Sequence, residues 1–234
     1  MGAPLRALTG LPMELWESLW LTLQLAFVVT ILLLLTGIPL AYWLSQSKRR
    51  GIIILETMVS LPIVLPPTVI GFYLLMLFSP QHPFGSFWFK LTGQTLTFSF
   101  SGLVIGSVIY SLPYAVQPIL SAFKAIPQDY LDAARTLGAT RWKTFWHVML
   151  PLAQRGMNVG AILCFAHTIG EFGVVVMLGG SIPGKTKVAS IALYDEVQKL
   201  NYDTAHAFAL ILLLISFFML LAMPVIQRKI EREF

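Results

Sequence analysis

The chain has 234 residues, of which 56% are hydrophobic and only 12% charged, with a net charge of +5 at neutral pH. Soluble globular domains carry about 25% charged residues, so this composition excludes a water-facing surface over most of the molecule. The single cysteine, Cys164, excludes an internal disulfide framework and a thiolate metal site within one chain, and reads as small apolar filler. The basic balance does not imply nucleic acid, because the aromatic residues lie inside apolar stretches; membrane lipid is the simpler partner.

Charge-free stretches cover residues 18–47, 57–89, 91–123, 156–170 and 204–227. Each approaches or exceeds the ~20 residues that cross the hydrocarbon layer as a helix. The expected fold is therefore all-α and membrane-embedded, with five transmembrane helices near 19–44, 53–78, 100–122, 156–178 and 204–226 in one domain over 1–234. The first stretch is longer than the core of about 7–15 residues in a cleavable secretory signal. Lys48, Arg49 and Arg50 follow it as a stop-transfer pattern, which makes it a retained anchor. Trp16, Trp20 and Trp43 fall near its two ends, where indoles favour the membrane interface.

Proline marks the second and third spans. Pro62, Pro66 and Pro67 in one, and Pro113 and Pro118 in the other, each remove a backbone donor, which predicts kinked or locally unwound helices. Freed carbonyls are tolerated at membrane depth only when protein buries them or a wet cavity receives them. Residues 61–68 (LPIVLPPT), including Thr68, are thus a candidate pathway segment, with a plain packing kink as the alternative. Ser60, Thr68, Ser111 and Thr168 are polar groups available to line a route.

Between the third and fourth spans lies the longest stretch assigned to the cytoplasm, 123–155. Residues 128–137 fit a short amphipathic helix with Tyr130, Leu131, Ala134 and Leu137 on one side. Gly138 permits a turn that other residues make at greater cost, and Thr140 is placed to cap a second helix running to Pro151. The small Ala133 and Ala134 would admit another surface closely, with Arg135, Arg141 and Lys143 at its rim.

Glu171 is the one acidic residue well inside an apolar span. A carboxylate there costs on the order of 2.5–3.5 kcal/mol and usually faces the bundle interior, so polar partners are expected for it. Gly170 and Gly173 beside it would allow close helix approach, and a hinge or gate is the preferred role over a structural contact. Residues 179–186 (GGSIPGKT) match the phosphate-binding loop pattern. A strand should precede such a loop, Pro183 deletes one of the amides it needs, and the topology puts it on the outer face, so nucleotide binding is not expected.

Lysine and arginine counts set the orientation. The loops near 45–52 and 123–155 and the tail hold eleven, against five on the opposite side (Arg6, Lys90, Lys185, Lys187 and Lys199). The positive-inside rule then puts the N-terminus outside and the C-terminus in the cytoplasm. His82, His147, His167 and His206 show no ligand spacing, so no metal is expected, and no nucleophile grouping suggests catalysis by this chain.

Asp132-Ala133-Ala134, then Gly138, Val148 and Leu150-Pro151, reproduce the spacing of the cytoplasmic signature of ABC-importer permeases, with Asp for Glu and Val for Ile. Residues 19–26, 37–44, 61–75 (LPIVLPPTVIGFYLL), 134–140, 170–173 (GEFG) and 182–186 (IPGKT) extend the resemblance to the molybdate permeases over nearly the whole chain, with sulfate and tungstate permeases similar. The resemblance implies a type I ABC importer permease fold in the cytoplasmic (inner) membrane. It also implies a coupling helix carrying Asp132, Ala133, Ala134, Arg135, Leu137, Gly138, Arg141, Leu150 and Pro151. Two ATPase subunits would bind the ATP and Mg, this chain would hold no cofactor, and an external oxyanion-binding protein would meet the 182–186 loop. Five helices barely enclose a pathway, so a homodimer is expected. An ion-coupled secondary transporter would want intramembrane ionisable pairs or inverted repeats, which this sequence does not offer.

Overall fold

The computed structural model describes residues 13–47 and 51–233, with side chains through residue 224, and every regular element in it is helical. Arg6 and the cluster Lys48, Arg49 and Arg50 lie outside the described residues, as do the side chains of Arg228, Lys229 and Arg232. Helix α1 (Met13–Gln46) has 34 residues and contains Pro39 without ending there. It overruns the predicted 19–44 at both ends. Trp16, Trp20 and Trp43 are all exposed on it, as an interfacial role requires.

The second span is two helices, α2 (Ile52–Val64) and α3 (Pro67–Phe78), bent by 109°. Leu65 and Pro66 between them are extended, with ψ of 135° and 134°. The cause is local. Two consecutive prolines lack amide hydrogens and push the preceding residue out of the helical region, while Pro67 takes the first helical position, where no amide is needed. After α4 (Pro83–Thr92), which ends on the left-handed Gly93, comes α5 (Phe100–Lys124), capped by the Ser99 hydroxyl accepting from the Gly102 amide at 3.1 Å.

Helix α5 departs from the expected local unwinding, because it continues as one helix through Pro113 and Pro118. A neighbour supports it there. After α6 (Gln128–Thr136) and α7 (Arg141–Leu152, with a π turn over Phe145–Met149), α8 (Gln154–Gly170) packs directly on α5. A Cβ on Gly156 would stand 2.4 Å from Ala122 Cβ and 2.6 Å from the Pro118 carbonyl oxygen, and one on Gly160 would stand 2.7 Å from the Ala115 oxygen. This is the close small-residue packing that membrane helices use, since lipid provides no hydrophobic drive for association.

The predicted fourth span, 156–178, is likewise divided, into α8 and α9 (Gly173–Gly179), by non-helical Glu171 and Phe172. Helices α10 (Ala189–Gln198) and α11 (Tyr202–Glu233) follow. Among the described residues α1, α5 and the 202–224 part of α11 are each long and apolar enough to cross a membrane, and the bent pairs α2–α3 and α7–α8 bring the number up to five.

Buried residues form three groups. One joins α1, α3, α5 and α9 through Leu33, Leu74, Leu103 and Leu178; another joins α10 and α11 to the start of α1 through Leu15, Ala192 and Phe208. The third gathers Leu44, Val59, Phe123, Leu131 and Met149, so Leu131 of α6 shares one buried cluster with residues of α1, α2, α5 and α7.

Candidate functional site

Two places concentrate the residues singled out above. The first is the α6–α7 elbow. Helix α6 ends in a Schellman motif: the Gly138 amide donates to the Arg135 carbonyl at 2.9 Å and the Ala139 amide to the Ala134 carbonyl at 3.0 Å. Gly138 holds φ at +75°, which L residues with a side chain reach only at a cost. The Thr140 hydroxyl accepts from the Lys143 amide at 3.3 Å and starts α7. Leu131 and Ala134 face inward and are buried, whereas Asp132, Ala133, Arg135, Leu137, Gly138 and Arg141 are exposed together. Leu150 is half-buried and Pro151 exposed on the last turn of α7.

Three details depart from the expected face. Tyr130 and Leu137 point outward rather than joining Leu131, because a helix this short cannot bury four apolar residues on one support. Ala134 is used within the chain, leaving Ala133 as the small residue open to a partner. The Asp132 carboxylate accepts from Arg135 at 2.8 Å and from Gln128 at 3.2 Å, so the acidic signature residue braces its own helix.

The second place is the meeting of the two broken spans. A Cβ on Gly173 would stand 2.5 Å from Pro67 Cβ, and one on Gly71 would fall 2.8 Å from Met177 Cβ and 3.2 Å from Val174 Cα. The start of α3 therefore lies against α9 with no room between them. Pro62 is buried further back on α2, while Pro66 and Thr68 are exposed beside the break. Gly170 is exposed and a Cβ there would meet nothing within 4 Å, so close approach is the property of Gly173 and not of Gly170.

Glu171 corrects another expectation. Its side chain is 4% exposed, and neither carboxyl oxygen has a hydrogen-bond partner. The buried Ser107 hydroxyl is the polar group that stands beside it. The anchoring is through the main chain instead, where Ser190 Oγ donates to the Glu171 carbonyl at 2.6 Å.

Sequence reasoning missed the neighbouring polar cluster. Ser111 Oγ lies 2.9 Å from His167 Nδ1 and 3.1 Å from Thr168 Oγ1, and the His167 ring stacks on Tyr114 at 3.9 Å. The signal was present as a serine, a histidine and a threonine in apolar helices, but nothing in linear spacing pairs positions 111 and 167. Ser111 and Thr168 are both buried in these contacts. The Ser60 hydroxyl accepts from Gln117 on α5.

The 179–186 loop has no phosphate-cradling geometry. A helix, α9, precedes it, and the amides of Lys185, Thr186 and Lys187 all donate to the Ile182 carbonyl at 3.0–3.2 Å. Lys187 is buried and pairs with Asp195 at 3.2 Å and Glu14 at 4.0 Å.

A sequence profile described as "binding-protein-dependent transport system inner membrane component" matches residues 33–232. The chain belongs to that family. It is 48% identical over 203 residues to the molybdenum transport system permease protein ModB of Azotobacter vinelandii, covering 87% of this chain and 90% of that one. It is 31% identical over 212 residues to the sulfate transport system permease protein CysT of Escherichia coli, covering 91% and 76%. The fold matches a bacterial ABC transporter that imports alginate, with TM-score 0.79, 17% identity and coverage of 98% and 84%. It also matches the inward-facing MetNI methionine ABC transporter, with TM-score 0.71, 18% identity and coverage of 98% and 99%. As a member of this family the chain is a multi-pass inner-membrane permease component.

Proposed function

We propose that the chain is the translocation subunit of an ATP-driven importer of molybdate, working as a homodimer with two copies of a separate ATPase and an external binding protein. The observation that carries the reading is the exposed α6–α7 elbow, which bears Asp132, Ala133 and Gly138 on its outer side and whose Leu131 is buried in one cluster with the ends of α1 and α5 and with Val59 of α2. A push on α6 is transmitted to three helices at once. ATP and Mg are handled by the partner, and the oxyanion is handed over at the outer side, where Ile182, Pro183, Gly184 and Lys185 are exposed.

In this reading residues 1–234 form one permease domain of type I with five crossings, the N-terminus outside and the C-terminus in the cytoplasm. Helices α2 and α3 expose Ile53, Ile54, Met58, Val64, Phe72 and Tyr73, an apolar face suited to a second copy across a two-fold axis. The Pro67–Gly173 contact serves as the gate between the two broken spans, with Pro62, Pro66, Thr68, Gly170 and Glu171 around it. Molybdate is favoured by the ModB relative, and sulfate is the runner-up because CysT aligns over most of the same residues.

Reconstitution of the chain with its ATPase and binding protein in proteoliposomes tests this. ATP-dependent uptake of molybdate in excess of sulfate and tungstate is expected. Uptake that follows an ion gradient and ignores the ATPase would overturn the reading.

A further inference from the structure

Two cavities meet at the foot of the α6–α7 elbow and share Tyr42 and Arg141. The larger, about 600 Å³, is apolar and runs between the end of α1 and α7, lined by Leu35, Ile38, Trp142, Trp146 and Met157. The smaller, about 290 Å³, is polar, with Gln46, Arg135 and Thr144 in its wall. Arg135 is engaged by Asp132 at 2.8 Å, whereas Arg141 is exposed and forms no ion pair among the described residues. Trp142 and Trp146 are exposed along the apolar part and pack edge to face at 5.6 Å. An apolar trough that ends at an unpaired guanidinium, flanked by indoles of the interfacial type, has the polarity profile of one amphiphile with a negative head.

We propose that this joined cavity is a binding site for an anionic phospholipid, its phosphate held by Arg141 with Gln46, and one acyl chain lying along Leu35, Ile38 and Trp146. The site requires only that α7 lie at the membrane surface. A lipid seated there touches both α1 and the elbow, so its occupancy stiffens the link between them.

The test uses the permease–ATPase complex purified in mild detergent and incubated with phosphatidylglycerol or phosphatidylcholine of equal chain length, with bound lipid counted by native mass spectrometry. Preferential retention of phosphatidylglycerol is expected. Arg141→Gln should lower it about fivefold, the factor for one basic residue at an anionic surface. Leu35→Trp, which fills the trough from an exposed position, should lower both lipids, and Lys90→Gln, remote from the cavity, should change neither. A photoactivatable acyl chain should cross-link to the 142–146 segment, and glycerol 3-phosphate, which lacks a chain, should not compete. Equal retention of the two lipids, indifference to Arg141→Gln and Leu35→Trp, competition by the soluble headgroup, or cross-links from this segment to a second copy of the chain would each overturn the proposal.

Discussion

The α6–α7 elbow and the α3–α9 contact are both short breaks in helix, yet they are held by different forces. At the elbow the turn is closed by two backbone hydrogen bonds and by the positive φ of Gly138, all within six residues, and the space around that glycine is open. At the α3–α9 contact nothing is local. Gly173 matters because Pro67, more than a hundred residues earlier, occupies the volume a side chain would need. The elbow is thus a preformed handle whose shape survives changes in the membrane helices, whereas the contact exists only while two broken spans stay pressed together. The proposed lever and the proposed gate require that difference.

The strongest way to break this comparison is to put a side chain at Gly173. Gly173→Val should force α3 and α9 apart, at a cost in the range of about 1–3 kcal/mol for overpacking, and abolish uptake in proteoliposomes. Gly170→Ala, three residues before the next helix begins, should leave both protein level and uptake unchanged. Equal behaviour of the two variants would remove the contact from the mechanism.

Glu171→Gln comes next. The carboxyl forms no ion pair among the described residues and has the Ser107 hydroxyl beside it, so the isosteric amide should leave the amount of inserted protein unaltered. If the group senses the gate, uptake should fall on the order of tenfold, the size of a ~1.4 kcal/mol coupling. Unchanged uptake would reduce Glu171 to a packing residue. At the elbow, Gly138→Ala should cost about 1 kcal/mol through its left-handed backbone alone. Capture of the ATPase by purified permease should weaken by roughly fivefold while thermal stability of the membrane helices stays constant.

The smallest expected effect is at the other end of the molecule. Lys199 donates to Glu196 at 2.7 Å, and this bond, ahead of the contact with Asn201, holds the Glu196 carboxyl below its ordinary range. A depressed carboxyl contributes its stability above the unfolded value and loses it as pH falls through the folded one. The Lys199 ammonium is raised by the same bond, so its share is lost only as pH rises through its folded value. Because Lys199 is largely exposed, the pair is worth roughly 0.2–1 kcal/mol at most. Lys199→Ala should therefore shift the melting temperature by a degree or two near neutrality and by nothing measurable in acid below the Glu range.

Sequence alone was sufficient for whatever rests on local chemistry or on transfer from water. Apolar length specified α1, α5 and the 202–224 part of α11 through transfer from water, while paired prolines specified the break at 65–66 and glycine with its flanking pattern specified the elbow through backbone terms within a few residues. Tertiary structure decided the rest. Pro113 and Pro118 did not interrupt α5, since Gly156 and Gly160 bring α8 against it; Gly173 rather than Gly170 proved to be the close contact; and Ser111 met His167. Those outcomes depend on which helix faces which. In a bilayer no hydrophobic gradient ranks the faces of a helix that is apolar all round, so small residues and polar groups choose the partners, and their choice is written in three dimensions rather than along the chain.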